Sequence, residues 1–207
     1  MLLAIPHYLV LAVLGVAFAV CTLVAGCAIL VSGRYPRPLF DFNVAVLRWN
    51  WRVGFYAYAA LGTDRYPPFT LARTDYPADL EITYPERLSR SRVLVGALLA
   101  LPHLLVVALV AVDILPYPWL AARDTTAHLL PSSGFSVFNL LVVLAGFFLL
   151  VTRRYPAGLF DLLLGLNGWL YRVLAYIALL SQDYPPFRLD AGSEAPGRLS
   201  ANQTTAP

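Results

Sequence analysis

Long apolar runs broken by short polar segments set the pattern of this chain. From Leu2 to Gly33 no side chain carries a formal charge, and His7 is the one basic group. A helix over 4–31 would be about 42 Å long, against a hydrocarbon core of about 30 Å. It is long enough to cross a bilayer with some tilt. Two further apolar runs, 93–112 and 135–152, read as spans of the same kind. Between and after them lie two stretches of mixed character. Residues 39–61 are interrupted by Asp41, Arg48 and Arg52, and residues 159–181 by Asp161 and Arg172. At 100° per residue these charges fall within about 20° of one another in each stretch, a narrow stripe among tryptophans and leucines. That pattern predicts a helix lying in the membrane interface, its guanidiniums toward headgroups and Trp49 or Trp169 at the polar–apolar boundary. The alternative is that the two helices span and hold a buried polar site.

The segment that starts at Tyr66 is polar and rich in proline. In it Phe69–Leu71 and Leu80–Tyr84 have the character of short hairpin strands. Asp113 to Gly134 reads as an interface loop, and the small polar residues 191–207 as a disordered tail. The pattern yields a first unit over 1–72, a polar linker over 73–92 and a second unit over 93–190.

The two units are copies. RYPRPLFD at Arg34–Asp41 returns as RYPAGLFD at Arg154–Asp161, and Trp49, Arg52, Val53 and Tyr56 return as Trp169, Arg172, Val173 and Tyr176. After a two-residue deletion Tyr66-Pro67-Pro68-Phe69 returns as Tyr184-Pro185-Pro186-Phe187. Ile5-Pro6-His7 is matched by Leu101-Pro102-His103, which leaves the first copy without most of the helix that opens the second. Such self-similarity marks a tandem duplication. The fold expected is an all-α integral membrane protein with about three transmembrane helices, two amphipathic interfacial helices and short strands in the linker.

Composition agrees with that class. Hydrophobic residues make up 59% and charged residues 13%, well below the roughly 25% charged of soluble domains. All fifteen basic residues are arginine, in keeping with a GC-rich bacterial genome. They form no run, which argues against nucleic-acid binding. In the three-span arrangement every arginine except Arg123 falls on one side, and the positive-inside rule makes that side cytoplasmic, together with the C-terminus. Cys21 and Cys27 lie in an apolar run and read as small packing residues. Val24-Ala25-Gly26-Cys27 has the form of a lipoprotein cleavage box, but no positive charge precedes the apolar run, so the segment is expected to be retained.

Candidate chemistry is sparse. His7, His103 and His128 have no compact ligand spacing, and neither metal nor cofactor is expected. A histidine near a proline is accounted for by a ring nitrogen bonded to a carbonyl that the proline frees. Asp41 and Asp161 are expected in the first turn of their helices, stabilised by exposed N–H groups. No nucleophile elbow, glycine-rich phosphate loop or Cys/His pair is present, and no catalytic residue is assigned. Arg52, Arg172, Trp49 and Trp169 are the candidate contacts to lipid or partner. Tyr35, Pro36, Asp41, Tyr155, Pro156, Asp161, Pro67 and Pro185 form the candidate structural motif. The Ala-Gly pairs at Gly26 and Gly146 are expected to face other helices.

The combination RYPxxLFD, WxxRVxxY and YPPF, with TYPERLSR at Thr83–Arg90 and LPH at Leu101–His103, resembles the bacterial membrane family catalogued as domain of unknown function 4389. The resemblance covers about Ile5 to Leu189 and implies a multi-pass membrane protein, without an assigned activity, substrate or catalytic residue. The function expected is a non-enzymatic scaffold or accessory, or a lipid-interacting protein. Its partners would be anionic headgroups, a membrane protein or a second copy, and its place the cell membrane. A small channel or transporter subunit is the alternative, and a membrane-embedded enzyme a third class.

Overall fold

The computed structural model describes residues 2–85, 88–111, 115–116, 134–189 and 198–201. Among them are five α-helices: α1 (Ile5–Ser32), α2 (Arg37–Ala57), α3 (Arg90–Ala111), α4 (Val137–Thr152) and α5 (Ala157–Ile177). The chain is mostly helical, as its apolar periodicity predicts.

The duplication holds down to single hydrogen bonds. α1 stops at Gly33, whose φ of 70° no longer continues a helix and whose N–H closes on the Ile29 carbonyl. α4 stops in the same way at Arg153, φ 54°, on the Leu149 carbonyl. Ser32 Oγ donates to the Ala28 carbonyl and Thr152 Oγ1 to the Phe148 carbonyl, both at 2.7 Å. The same hydroxyls accept from the backbone N–H of Arg34 and Arg154, both at 3.3 Å. Pro36 and Pro156 follow in extended conformation, φ −62° each, and release the chain into α2 and α5. With φ preset and no N–H to satisfy, proline suits such a helix entry.

α2 and α5 are the inner pair. Most of α2 is buried, including Trp51, Arg52 and Phe55, and so is much of α5, including Leu163, Trp169 and Val173. The two helices meet at the C-terminal half of α2: Phe55 packs on Phe160 and, one turn earlier, Trp51 packs on Tyr171. Asn50 Nδ2 donates to Tyr171 Oη at 2.8 Å, and Asn167 Nδ2 to the Ala59 carbonyl at 3.1 Å. Tyr155 Oη reaches the Ala60 carbonyl at 2.6 Å. This corrects the expectation of two amphipathic helices with tryptophans and leucines facing lipid. A ring of large side chains around a helix can be covered by protein as readily as by acyl chains; here α1 and β1 cover most of α2, and Phe160 and Tyr171 of the other copy complete the cover.

α1, α3 and α4 flank the pair and keep large apolar side chains outward. Leu9, Val13, Val16, Leu23 and Val31 of α1 are exposed, as are Leu98, Leu101 and Leu105 of α3 and Val143, Phe147 and Leu150 of α4. α1 is long and apolar enough to cross a membrane; α4 and Leu98–Ala108 of α3 are apolar but shorter.

The glycines expected at helix contacts meet leucines that leave the inner pair. A Cβ on Gly26 would lie 3.6 Å from Leu179 Cδ1, and one on Gly146 3.5 Å from Leu61 Cδ1. Leu61 and Leu179 are equivalent after the two-residue deletion, and both have left-handed φ, 49° and 61°. Each copy thus seats a turn leucine against the other copy's glycine.

The strands differ from expectation. β1 (Ala78–Glu81) pairs antiparallel with β4 (Arg198–Ala201), Ala78 opposite Ala201 and Glu81 opposite Arg198, and not with Phe69–Leu71. Proline at 67 and 68 and the return of Thr70 N–H to the Pro68 carbonyl at 2.9 Å hold that stretch in a turn. Part of the segment expected to be a disordered tail is therefore a strand; the rest of it lies outside the described residues. β2 (Leu115–Pro116) and β3 (Gly134–Phe135) form a second short pair; residues 117–133 between them, with Arg123 and His128, also lie outside the described residues, and so does most of the stretch expected to be an interface loop.

Candidate functional site

The most repeated side-chain arrangement is built around the two prolyl-histidines. His7, in the first turn of α1, is fully buried, and its imidazole stacks on Phe69 with centroids 3.7 Å apart and planes 9° from parallel. Tyr66 lies 5.1 Å from the same ring, and Trp49 meets it edge-on at 5.8 Å. Trp49 Nε1 donates to His7 Nδ1 at 3.2 Å, which leaves any proton of the neutral ring on Nε2. The second copy repeats the cluster: His103, also fully buried, stacks on Phe187 at 4.0 Å and 20°, with Tyr184 at 4.8 Å and Trp169 at 5.8 Å. There the indole is tilted by 48°, and neither His103 nitrogen nor Trp169 Nε1 bonds to a described residue. The carbonyl partner expected next to Pro102 is not found; the ring is held by stacking. Both histidines thus act as flat platforms on which the YPPF turn is set.

The arginines fix that turn from the other side. Arg52, 1% exposed, donates from Nη1 to the Thr70 carbonyl at 3.3 Å and from Nη2 to the Ala72 carbonyl at 2.8 Å. Arg172 donates from Nη2 to the Arg188 carbonyl, and Arg188 is the counterpart of Thr70. Even the local turn recurs: Arg188 N–H bonds the Pro186 carbonyl at 2.8 Å as Thr70 N–H bonds that of Pro68. Pro67 and Pro185 are buried beneath. Arg52, Arg172, Trp49 and Trp169 were expected to face headgroups or a partner, and all four are placed inside the protein. A guanidinium has five donors in a rigid fork, and a turn that gathers carbonyls satisfies them as well as phosphate does.

A third inward arginine has no counterpart in the second copy. Arg48, answered by Gly168, bonds the Leu80 carbonyl at 3.2 Å and pairs with Asp79 at 3.0 Å, fixing β1 against α2. Burial lowers its pKa from the usual arginine value, with Asp79 opposing; Arg52 is also lowered, by burial first and then by the Arg48 charge.

The Tyr-Pro residues are structural in the same sense. Tyr35 Oη accepts from Asn43 Nδ2 at 2.9 Å, and its own carbonyl accepts from Tyr84 Oη at 2.5 Å. Burial pushes the Tyr35 and Tyr155 hydroxyls up to about 12. Asp41 and Asp161 depart from expectation. The helices open at Arg37 and Ala157, so each aspartate is the fifth helical residue, past the first turn, and both are exposed.

No group of three or more His, Cys, Asp or Glu side chains among the described residues is placed to hold one ion. Neither imidazole has a carboxylate or a nucleophile beside it in the clusters. The missed feature was legible in part: IPH and LPH repeat, and so does YPPF. Nothing in the sequence says that the one stacks on the other across 62 or 84 positions, because ring stacking has no spacing rule.

No curated protein and no solved structure matches the chain. The model of the family described as Domain of unknown function (DUF4389) matches residues 1–70 and 132–188. These two segments carry both RYPxxLFD–WxxRV–YPPF copies and more than half of the chain, and the protein belongs to that family.

Proposed function

We propose that the protein is a multi-pass, non-enzymatic membrane component, a scaffold or accessory whose folded body is built to sit among lipids. α1, α3 and α4 would cross the bilayer, and α2 and α5 would tie them together. The observation that carries this reading is the outward apolar surface of those three helices. Exposed large apolar side chains run along each of them, and a contiguous apolar surface on a protein marks a membrane or partner contact. The second support is how the repeated polar groups are used: Arg52, Arg172, Tyr35 and Tyr155 are all engaged with internal carbonyls or amides.

Sidedness tests it. In a background lacking Cys21 and Cys27, Ser89→Cys and Asp183→Cys are expected to stay unlabelled by an impermeant thiol reagent in intact cells. Thr125→Cys, which lies outside the described residues, is expected to be labelled. Labelling of Ser89→Cys in intact cells, or release of the chain by alkaline carbonate, would overturn the proposal.

A further inference from the structure

The arginines divide by their partners. Arg48, Arg65 and Arg73 each meet an acid, with Asp79 at 3.0 Å, Asp75 at 3.5 Å and Glu81 at 3.4 Å. Arg34, Arg37, Arg90, Arg153 and Arg154 are exposed and meet no acid among the described residues. These five sit where apolar helices end. Arg34 and Arg154 hold equivalent places, each with its N–H on the hydroxyl that closes α1 or α4. Just before them the outward side chains are still apolar: Leu30 and Val31 on α1, Leu150 and Val151 on α4. Arg90 joins the first group by donating Nη2 to the Val31 carbonyl at 3.0 Å, and Arg37 lies over the Tyr84 ring at 4.4 Å. The opposite end of α1, Leu2 to Val10, carries no arginine.

A guanidinium directly beyond a belt of exposed apolar side chains stands at headgroup height, where phosphate oxygens are the acceptors that match its fork. The two groups are also held apart. Tyr35 directly precedes α2, whereas Tyr155 reaches the Ala60 carbonyl beyond its far end. A 21-residue helix separates them by about 31 Å. We infer that Arg34, Arg37 and Arg90 form one collar and Arg153 and Arg154 a second, and that both bind the phosphates of anionic phospholipids. This rests on the membrane-integral reading above, whose own failure would show in carbonate release of the unaltered chain and not in lipid preference.

The full-length protein in detergent, given phosphatidylglycerol or phosphatidylcholine and followed by native mass spectrometry, provides the test. The unaltered chain is expected to retain phosphatidylglycerol preferentially. R34Q/R37Q/R153Q/R154Q should lower that preference about tenfold or more. R34Q/R37Q alone should remove only part of the retained lipid, and the four-lysine variant should keep most of the preference. R65Q/R73Q, which alters arginines already paired with acids, should leave it unchanged. An equal loss in R65Q/R73Q, or a preference that survives in the four-glutamine variant, would overturn the inference. So would displacement of the lipid by millimolar inorganic phosphate, which would make the collars sites for a free anion. Should the four-glutamine variant not fold, R34Q/R37Q alone decides: full retention of phosphatidylglycerol overturns the inference.

Discussion

At the scale of the residue, the two motif arginines show how one side chain fits two environments. Arg52 and Arg172 sit on a face that suits headgroups, yet the structure turns that face toward the backbone of the YPPF turn. Replacing Arg52 with Gln removes two charged donors from the Thr70 and Ala72 carbonyls, and a hydrogen bond to a charged group is worth about 1.5–3 kcal/mol. Arg52→Gln is therefore expected to lower the melting temperature in detergent by several degrees, while Arg34→Gln, at an exposed position, leaves it unchanged. The histidines make a sharper case. His7→Ala removes the platform under Phe69 and orphans Trp49 Nε1, whereas His7→Phe keeps the stack and loses one hydrogen bond. Thermal melts of the two variants should rank alanine well below phenylalanine. The reverse order would show that the imidazole matters for its nitrogens and not for its face.

At the scale of the element, the helices and the duplication were legible and the direction of the inner faces was not. The apolar runs place α1, α3 and α4 to within a few residues, because a charge-free stretch of such length has few other solutions. For α2 and α5 the same reasoning finds which residues share a stripe, but periodicity cannot say whether lipid or protein covers the remainder. Asn50, Asn167 and Tyr171 are the residues that settle it, by bonding across the two copies. The strand partner of β1 was beyond reach too, since it lies more than a hundred positions away. The turn leucines give this scale its prediction. Gly26→Leu overpacks the contact with Leu179 and Gly146→Leu that with Leu61, each at about 1–3 kcal/mol. Leu179→Ala should recover part of the loss in Gly26→Leu and none of it in Gly146→Leu. Melting temperatures of the three single variants and the two doubles measure that coupling.

At the scale of the whole molecule, the interlocked inner pair implies that neither copy is a complete folding unit. Without α5, the α2 face that carries Trp51 and Phe55 loses Tyr171 and Phe160, and the Ala59 and Ala60 carbonyls lose Asn167 and Tyr155. A cut between α3 and α4 also splits the second copy, and the Phe187 turn then loses the His103 on which it stacks. A chain cut between Asp124 and Thr125 therefore leaves two pieces whose missing surfaces are each other's. Apolar burial and the hydrogen bonds of Asn50, Tyr155 and Asn167 favour their reunion, and under the membrane reading proposed above the entropy of joining two pieces confined to one bilayer opposes it only in part. Co-expressed as separate chains, with a tag on the second piece alone, the two are expected to purify together in a mild detergent. Trp51→Ala in the first piece should weaken recovery, because Trp51 is fully buried and packs on Tyr171. Leu105→Ala, on the outward face of α3, should not. Pieces that insert but never associate would show that each piece closes its core alone, and that the α2–α5 contact follows folding instead of directing it.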